Sequence, residues 1–170
     1  VSHVMTSKGT CGASAPMTLA NRAAPDPASM QMKPRTLLRT ATVLTLVHAL
    51  LNAFAGLLSG TSKAQDETAV LGAMKALRFD AMGSMRTYWD FYFGFGAFLT
   101  ANLVLLAAVM WQLAALAETA PGSARTFIAL LCIGFLVFAA LSSLYFFVAP
   151  VALEVLIAVV LGLAYFAARR

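Results

Sequence analysis

The sequence predicts an all-α protein: a four-helix transmembrane bundle with a short amphipathic helix in the first extracytoplasmic loop. The 170-residue chain is 61% hydrophobic and 11% charged, with a mean hydropathy of +0.81. Soluble domains are about 45–50% apolar and about 25% charged. Four apolar segments are each long enough to cross about 30 Å of hydrocarbon. A helix suits them because it satisfies every backbone polar group within the segment.

The N-terminal tail, residues 1–34, is rich in Ala, Ser, Pro and Met and has no apolar period, so we predict that it is disordered. The first residue is Val, which suggests translation from an alternative start codon. Methionines offer other starts that would leave part of the tail untranslated: Met5, Met17, Met30 and Met32.

The membrane domain, residues 35–170, is predicted to contain helices at about 38–60, 89–117, 125–147 and 150–168. Pro150 suits the first turn of the last helix, where its missing N–H costs nothing. The first segment has an alternative as a signal peptide, since MKPRTLLR is a basic leader and Ser62-Lys63-Ala64 a tolerable cleavage site. Its apolar run exceeds the about 7–15 residues of a signal peptide, which favours a retained helix.

The first long loop, residues 61–89, contains DETAVLGAMKALRFDAM. Val70, Met74, Leu77 and, less regularly, Met82 share one side, and acidic residues stand at the start, where a helix favours negative charge. We predict an amphipathic helix on the outer membrane surface. The alternative is an irregular loop.

Basic residues near the spans predict the orientation. Six Lys and Arg side chains lie at helix ends on the side of the membrane that holds both termini, and four lie in the long loop on the other side. This bias favours cytoplasmic N- and C-termini. The net charge of +5 is therefore explained by topology, and we predict no nucleic-acid partner.

Rare polar residues within the spans are the candidate site. A charge at the membrane centre costs about 2.5–3.5 kcal/mol on insertion scales, so His48, Asn52, Asp90 and Glu154 are predicted to face the bundle interior. Three helices carry small-residue faces that include these positions, and small residues favour close helix packing. The members are Ala41, Thr45, His48, Asn52, Ala55 and Ser59; Asp90, Gly94, Ala97, Ala101 and Ala108; and Glu154, Ala158, Gly162 and Tyr165.

Depth places these four polar residues in the outer half of one bundle if the termini are cytoplasmic. The sequence thus predicts a polar pocket there, with Arg86 and Tyr88 at its mouth. No residue is predicted to be catalytic, and an enzyme is the less favoured class. The two cysteines and two histidines show no metal spacing, so no metal or other cofactor is predicted.

Structural interpretations of the same residues stay open. Asp90 can cap the second membrane helix, and Tyr88 can belong to an interfacial aromatic belt. His48 can bond to Asn52 or to a neighbouring helix. Glu154 can pair with Arg86 or reach water.

The favoured function is binding of a hydrophobic small molecule or a membrane partner through this pocket. The lipid bilayer is the predicted environment, and the membrane partner can be a second copy of the chain in a homo-oligomer. One alternative is a membrane oxidoreductase or isomerase acting on a quinone- or sterol-like substrate, with His48 and an acid moving protons. Another is a small proton-coupled transporter that uses Glu154 or Asp90.

Two stretches, FDAMGSMRTYWDFYFGFG at 79–96 and YFFVAPVALEVLIAVVLGLA at 145–164, resemble a family of small bacterial four-helix membrane proteins that has no established activity. In helix number and size the chain is also similar to DoxX-like four-helix bundles. The resemblance spans about residues 40–168 and implies a bacterial inner membrane location, which the Ala-rich composition also favours.

Overall fold

The structure, a computed structural model, describes residues 33–58 and 64–169, with no side-chain description for 57 and 58. The interpretations of the N-terminal tail, its start codons and the signal cleavage site at 62–63 lie outside these residues. The described elements in chain order are α1 (Pro34–Leu58), α2 (Gln65–Ala76), β1 (Arg78–Ala81), β2 (Ser84–Thr87), α3 (Tyr88–Thr119), α4 (Pro121–Tyr145) and α5 (Val148–Ala167).

Four of these helices, α1, α3, α4 and α5, are long and apolar enough to cross a membrane. They form the predicted four-helix bundle of a multi-pass membrane protein. Prolines stand in the first turn of three of them, where no intrahelical donor is lost: Pro34, Pro121 and Pro150. Only Ala120 separates α3 from α4, and Phe146 and Phe147 separate α4 from α5, so these neighbours run antiparallel.

The helices pack in a closed ring in which α1 contacts α3 and α5, and α4 also contacts both α3 and α5. At one end the Arg35 guanidinium donates to both carboxylate oxygens of Glu118 at 2.8 Å, and the Arg125 guanidinium lies 4.6 Å from the Tyr165 ring. We call this the proximal end; it holds the start of α1 and the end of α5. The opposite, distal end holds α2 and the strands.

The core is built mainly from Ala and aliphatic side chains such as Leu38, Ile157 and Leu161, together with Met110 and the Phe135 ring. The larger apolar residues of α1, such as Val43, Leu50 and Phe54, are exposed on the outer surface. Large apolar side chains can face outward in a membrane, because lipid tails are as apolar as the core. This distribution confirms the predicted small-polar inner face of α1 at Ala41, Thr45 and His48, whereas Ala55 is exposed.

The inner face of α3 differs from the predicted one. Ala97, Ala101 and Ala108 are exposed, and the buried stripe consists of Leu103, Ala107, Met110, Leu113, Ala114 and Ala117. Small residues occur on several sides of α3, so a small-residue pattern could not identify its packing face. The prediction for this face was wrong for that reason.

The predicted loop helix is α2, but it ends at Ala76. The chain then forms an antiparallel hairpin of β1 and β2, with Arg78 opposite Thr87 and Ala81 opposite Ser84. Met82 and Gly83 both have positive φ, as a two-residue hairpin turn of the primed type requires, and Asp80 Oδ1 accepts the Gly83 N–H. The extension of the helical face to Met82 was therefore wrong.

Candidate functional site

An open cleft of about 730 Å³ lies at the distal end, between the hairpin and the first turns of α3. Alternation along the strands explains the lining: Ala81, Ser84 and Arg86 share one face of the hairpin and all border the cleft. The α3 residues that complete it are Trp89, Asp90, Phe91, Phe93, Gly94, Phe95 and Phe98.

Asp90 is held in a capping box at the start of α3. Its Oδ2 accepts the Thr87 N–H at 2.8 Å, and its own N–H donates to Thr87 Oγ1 at 3.1 Å. The carboxylate thereby satisfies a free backbone donor and lies where the helix dipole favours negative charge. The capping interpretation of Asp90 is confirmed, and its side chain also borders the cleft.

Further aromatic rings pack against one another beside the cleft. The Phe79 ring lies 4.9 Å from that of Tyr88 and 5.5 Å from that of Phe91. The Lys75 ammonium lies 4.6 Å from the centroid of the Trp89 ring. Tyr88 therefore packs on the hairpin and is not among the residues that line the cleft.

Asn52 joins α1 to α3 near the distal end. Its side-chain amide donates to the Gly96 carbonyl at 2.9 Å and to Thr100 Oγ1 at 2.8 Å. Thr100 donates in turn to the same Gly96 carbonyl. These contacts make Asn52 an interhelical linker.

His48 and Glu154 lie inside the bundle. His48 is 4% exposed, and its Nδ1 has no hydrogen-bond partner. Glu154 is 5% exposed; its Oε1 accepts the Ser142 hydroxyl at 3.0 Å, and its Oε2 has no partner. Two buried atoms in an apolar interior without partners are costly, so these positions call for a chemical explanation.

The six predicted site residues thus form separate groups. Arg86 and Asp90 border the cleft, and the Tyr88 ring packs against the Phe79 ring beside it. Asp90 is exposed at the start of α3, so the prediction that it faces the bundle interior was wrong. Asn52 links α1 and α3, His48 is buried on α1, and Glu154 contacts Ser142. Sequence reasoning did not single out Thr87, Gly96, Thr100 or Ser142 as partners; a Ser or Thr within an apolar helix is a signal for some of them, since its hydroxyl needs an acceptor.

Among residues 33–58 and 64–169, no group of three His, Cys, Asp or Glu side chains is arranged to hold a metal ion. Cys132 Sγ donates to the Ala158 carbonyl at 3.3 Å, which joins α4 to α5.

We expect Asn52→Ala to lower the free energy of unfolding by about 1 kcal/mol, because interhelical hydrogen bonds in membranes contribute about 0.6–1.7 kcal/mol. Reversible unfolding in mixed micelles with increasing dodecyl sulfate measures this. Asn102→Ala is the matched control, since the Asn102 amide donates only to Phe98 of its own helix. Equal losses in the two variants would contradict the linker function of Asn52.

Comparisons with family models, with curated proteins and with solved structures find no match to this chain. The resemblance to small bacterial four-helix proteins accordingly stays a prediction.

Proposed function

We propose that this protein is a bacterial inner-membrane protein that binds an amphiphile with an anionic head, and that the distal cleft is the binding site. The observation that carries the proposal is the composition of the cleft, which combines one guanidinium with a wall of aromatic rings. Ligand sites of this kind are mostly apolar concavities with a few placed polar groups.

Charge supports an anionic head group. The Asp90 carboxylate is already stabilised by the Thr87 amide and the start of α3. Arg86 is exposed, and no ion pair is found for it among the described residues. Its guanidinium makes no ion pair there and acts on the Asp90 carboxylate only at longer range, and guanidinium groups bind carboxylates and phosphates through paired hydrogen bonds.

The apolar part of the cleft supports a hydrocarbon tail. Phe95 and Phe98 are each 69% exposed and lie further along α3 than Asp90. Phe98 lies eight positions after Asp90, which is about 12 Å along a helix. The lining thus extends from the charged residues beside the hairpin along the outer, lipid-facing surface of α3, which suits an amphiphile at a membrane surface.

The distribution of basic residues supports the orientation of the site. Five described basic residues lie at the proximal end, Lys33, Arg35, Arg39, Arg125 and Arg169, and three at the distal end, Lys75, Arg78 and Arg86. This bias favours a cytoplasmic proximal end. The cleft would then open at the outer surface of the membrane.

Trp89 borders the cleft, so its fluorescence can report binding. In a Trp111→Phe background, we expect a fatty acid brominated in its acyl chain to quench Trp89 saturably. We expect Arg86→Gln to weaken this binding at least about tenfold, a loss of about 1.4 kcal/mol, because a charge-assisted hydrogen bond is lost.

Arg78→Gln is the matched control, since Arg78 lies on the opposite face of the same hairpin, and we expect less than a twofold change. The methyl ester of the brominated acid should bind the unsubstituted protein as weakly as the acid binds Arg86→Gln. Quenching that rises linearly without saturation would reject the binding function. Equal losses in the two arginine variants would reject the cleft as the site.

A further inference from the structure

Glu154 lies on a helix that packs against two others, and it is far from the cleft residues in the sequence. It is on α5, and its carboxyl oxygen Oε1 accepts a hydrogen bond from the Ser142 hydroxyl on α4. The third helix, α1, packs against α5 and carries His48. His48 lies fourteen residues after Pro34, and Glu154 thirteen residues before Ala167. At 1.5 Å per residue, each lies about 20 Å from the proximal end.

The packed helices bring no cation to the Glu154 carboxyl among the described residues. Arg35 is paired with Glu118, and Arg39 lies over the Trp111 ring. Arg125 and Arg169 lie over the Tyr165 ring near the proximal end. The other titratable groups on α1, α4 and α5 are His48, Cys132, Tyr145 and Tyr165. The Cys132 thiol donates to a carbonyl, and Tyr145 is exposed.

An ionised Glu154 would leave a negative oxygen, Oε2, without a partner in an apolar interior. Burying an unpaired charge costs far more than burying a neutral acid, and such groups become neutral instead. A neutral acid also keeps Oε1 as the acceptor of the Ser142 hydroxyl.

We propose that Glu154 is a proton-binding site inside the membrane, which holds a proton on Oε2 at neutral pH and exchanges it with the surrounding water. The ligand of this site is the hydrogen ion, and the site is independent of the amphiphile cleft. Ser142 is its positioning residue, since it holds Oε1.

Infrared spectroscopy of the full-length protein in lipid vesicles tests the proposal directly, because the carbonyl stretch of a protonated acid lies apart from the carboxylate bands. At neutral pH we expect the difference between the unsubstituted protein and Glu154→Gln to show loss of one acid carbonyl band. In heavy water this band should shift to lower frequency as its proton exchanges. Glu118→Gln, which alters a carboxylate paired with Arg35, should lose carboxylate bands instead.

Ser142→Ala provides a check that leaves Glu154 in place. We expect the acid band to persist and to shift to higher frequency, because its carbonyl oxygen loses a hydrogen bond. Loss of carboxylate bands in Glu154→Gln would overturn the proposal by showing an ionised Glu154. An acid band that does not shift in heavy water would overturn it as well, since the proton would then be trapped.

Discussion

Phe135→Ala is expected to lower the free energy of unfolding by about 2–3 kcal/mol. Phe135 is 1% exposed and lies in the core cluster, where its ring is 5.8 Å from that of Phe138 in an edge-on arrangement. Truncating such a residue in a soluble core costs about 3–5 kcal/mol. We expect less here because lipid solvates the ring when the helices separate, so that mainly the packing contribution is lost.

Phe127→Ala is the matched control on the same helix. Phe127 is 53% exposed on the outer surface, so its ring meets lipid in both the packed and the separated helices. We expect a change within about 0.5 kcal/mol, as for other substitutions away from packed sites. Unfolding by dodecyl sulfate in mixed micelles, followed by tryptophan fluorescence, measures both. A loss in Phe127→Ala as large as in Phe135→Ala would show that the core does not lie where the structure places it.

Ala114→Phe is expected to destabilise the bundle by about 3 kcal/mol. Ala114 is 1% exposed in the inner stripe of α3, and Met110, on the same stripe, receives a weak hydrogen bond from Thr45 of α1. A phenyl ring there has no space unless α1 and α3 move apart, and overpacking a filled core costs about 1–3 kcal/mol. We expect a loss of unfolding free energy at the upper end of this range, because small residues set the distance between membrane helices.

Ala115→Phe adds the same ring one residue along, at an exposed position, and should leave the unfolding midpoint nearly unchanged. The pair of variants separates the identity of the inner face from the general effect of a larger residue in α3. If Ala115→Phe were the more damaging variant, the observed face of α3 would be wrong.

The packing face of α1 could be predicted from the sequence, and that of α3 could not. On α1, polar and small residues occupy one side and large apolar residues the other, so the pattern alone identified the inner face of His48 and Thr45. On α3, alanines and glycines lie on several sides, and the pattern indicated the exposed positions Ala97 and Ala101 instead. A helix reveals its packing face only where its residue types are unevenly distributed around it.

The candidate site shows the same limit. The cost of polar groups in hydrocarbon marked His48, Asn52 and Glu154 as unusual. The partners of Asn52 and Glu154 lie 12 to 48 positions away in the sequence, as for Ser142 with Glu154 and Thr100 with Asn52, and no local pattern specifies such pairs. The hairpin was missed because RFDA and SMRT are short and carry little β-branched or alternating apolar character.

The four membrane helices followed from the sequence by itself, because hydropathy and the need to satisfy backbone polar groups act within each segment. The capping function of Asp90 could be proposed on the same local grounds, and the capping box bears it out. Only the tertiary structure decided that Arg86 and Asp90 border an aromatic cleft while Glu154 lies in the core with one unpartnered oxygen. These features depend on which helices become neighbours, and that choice is made by packing between residues far apart in the chain.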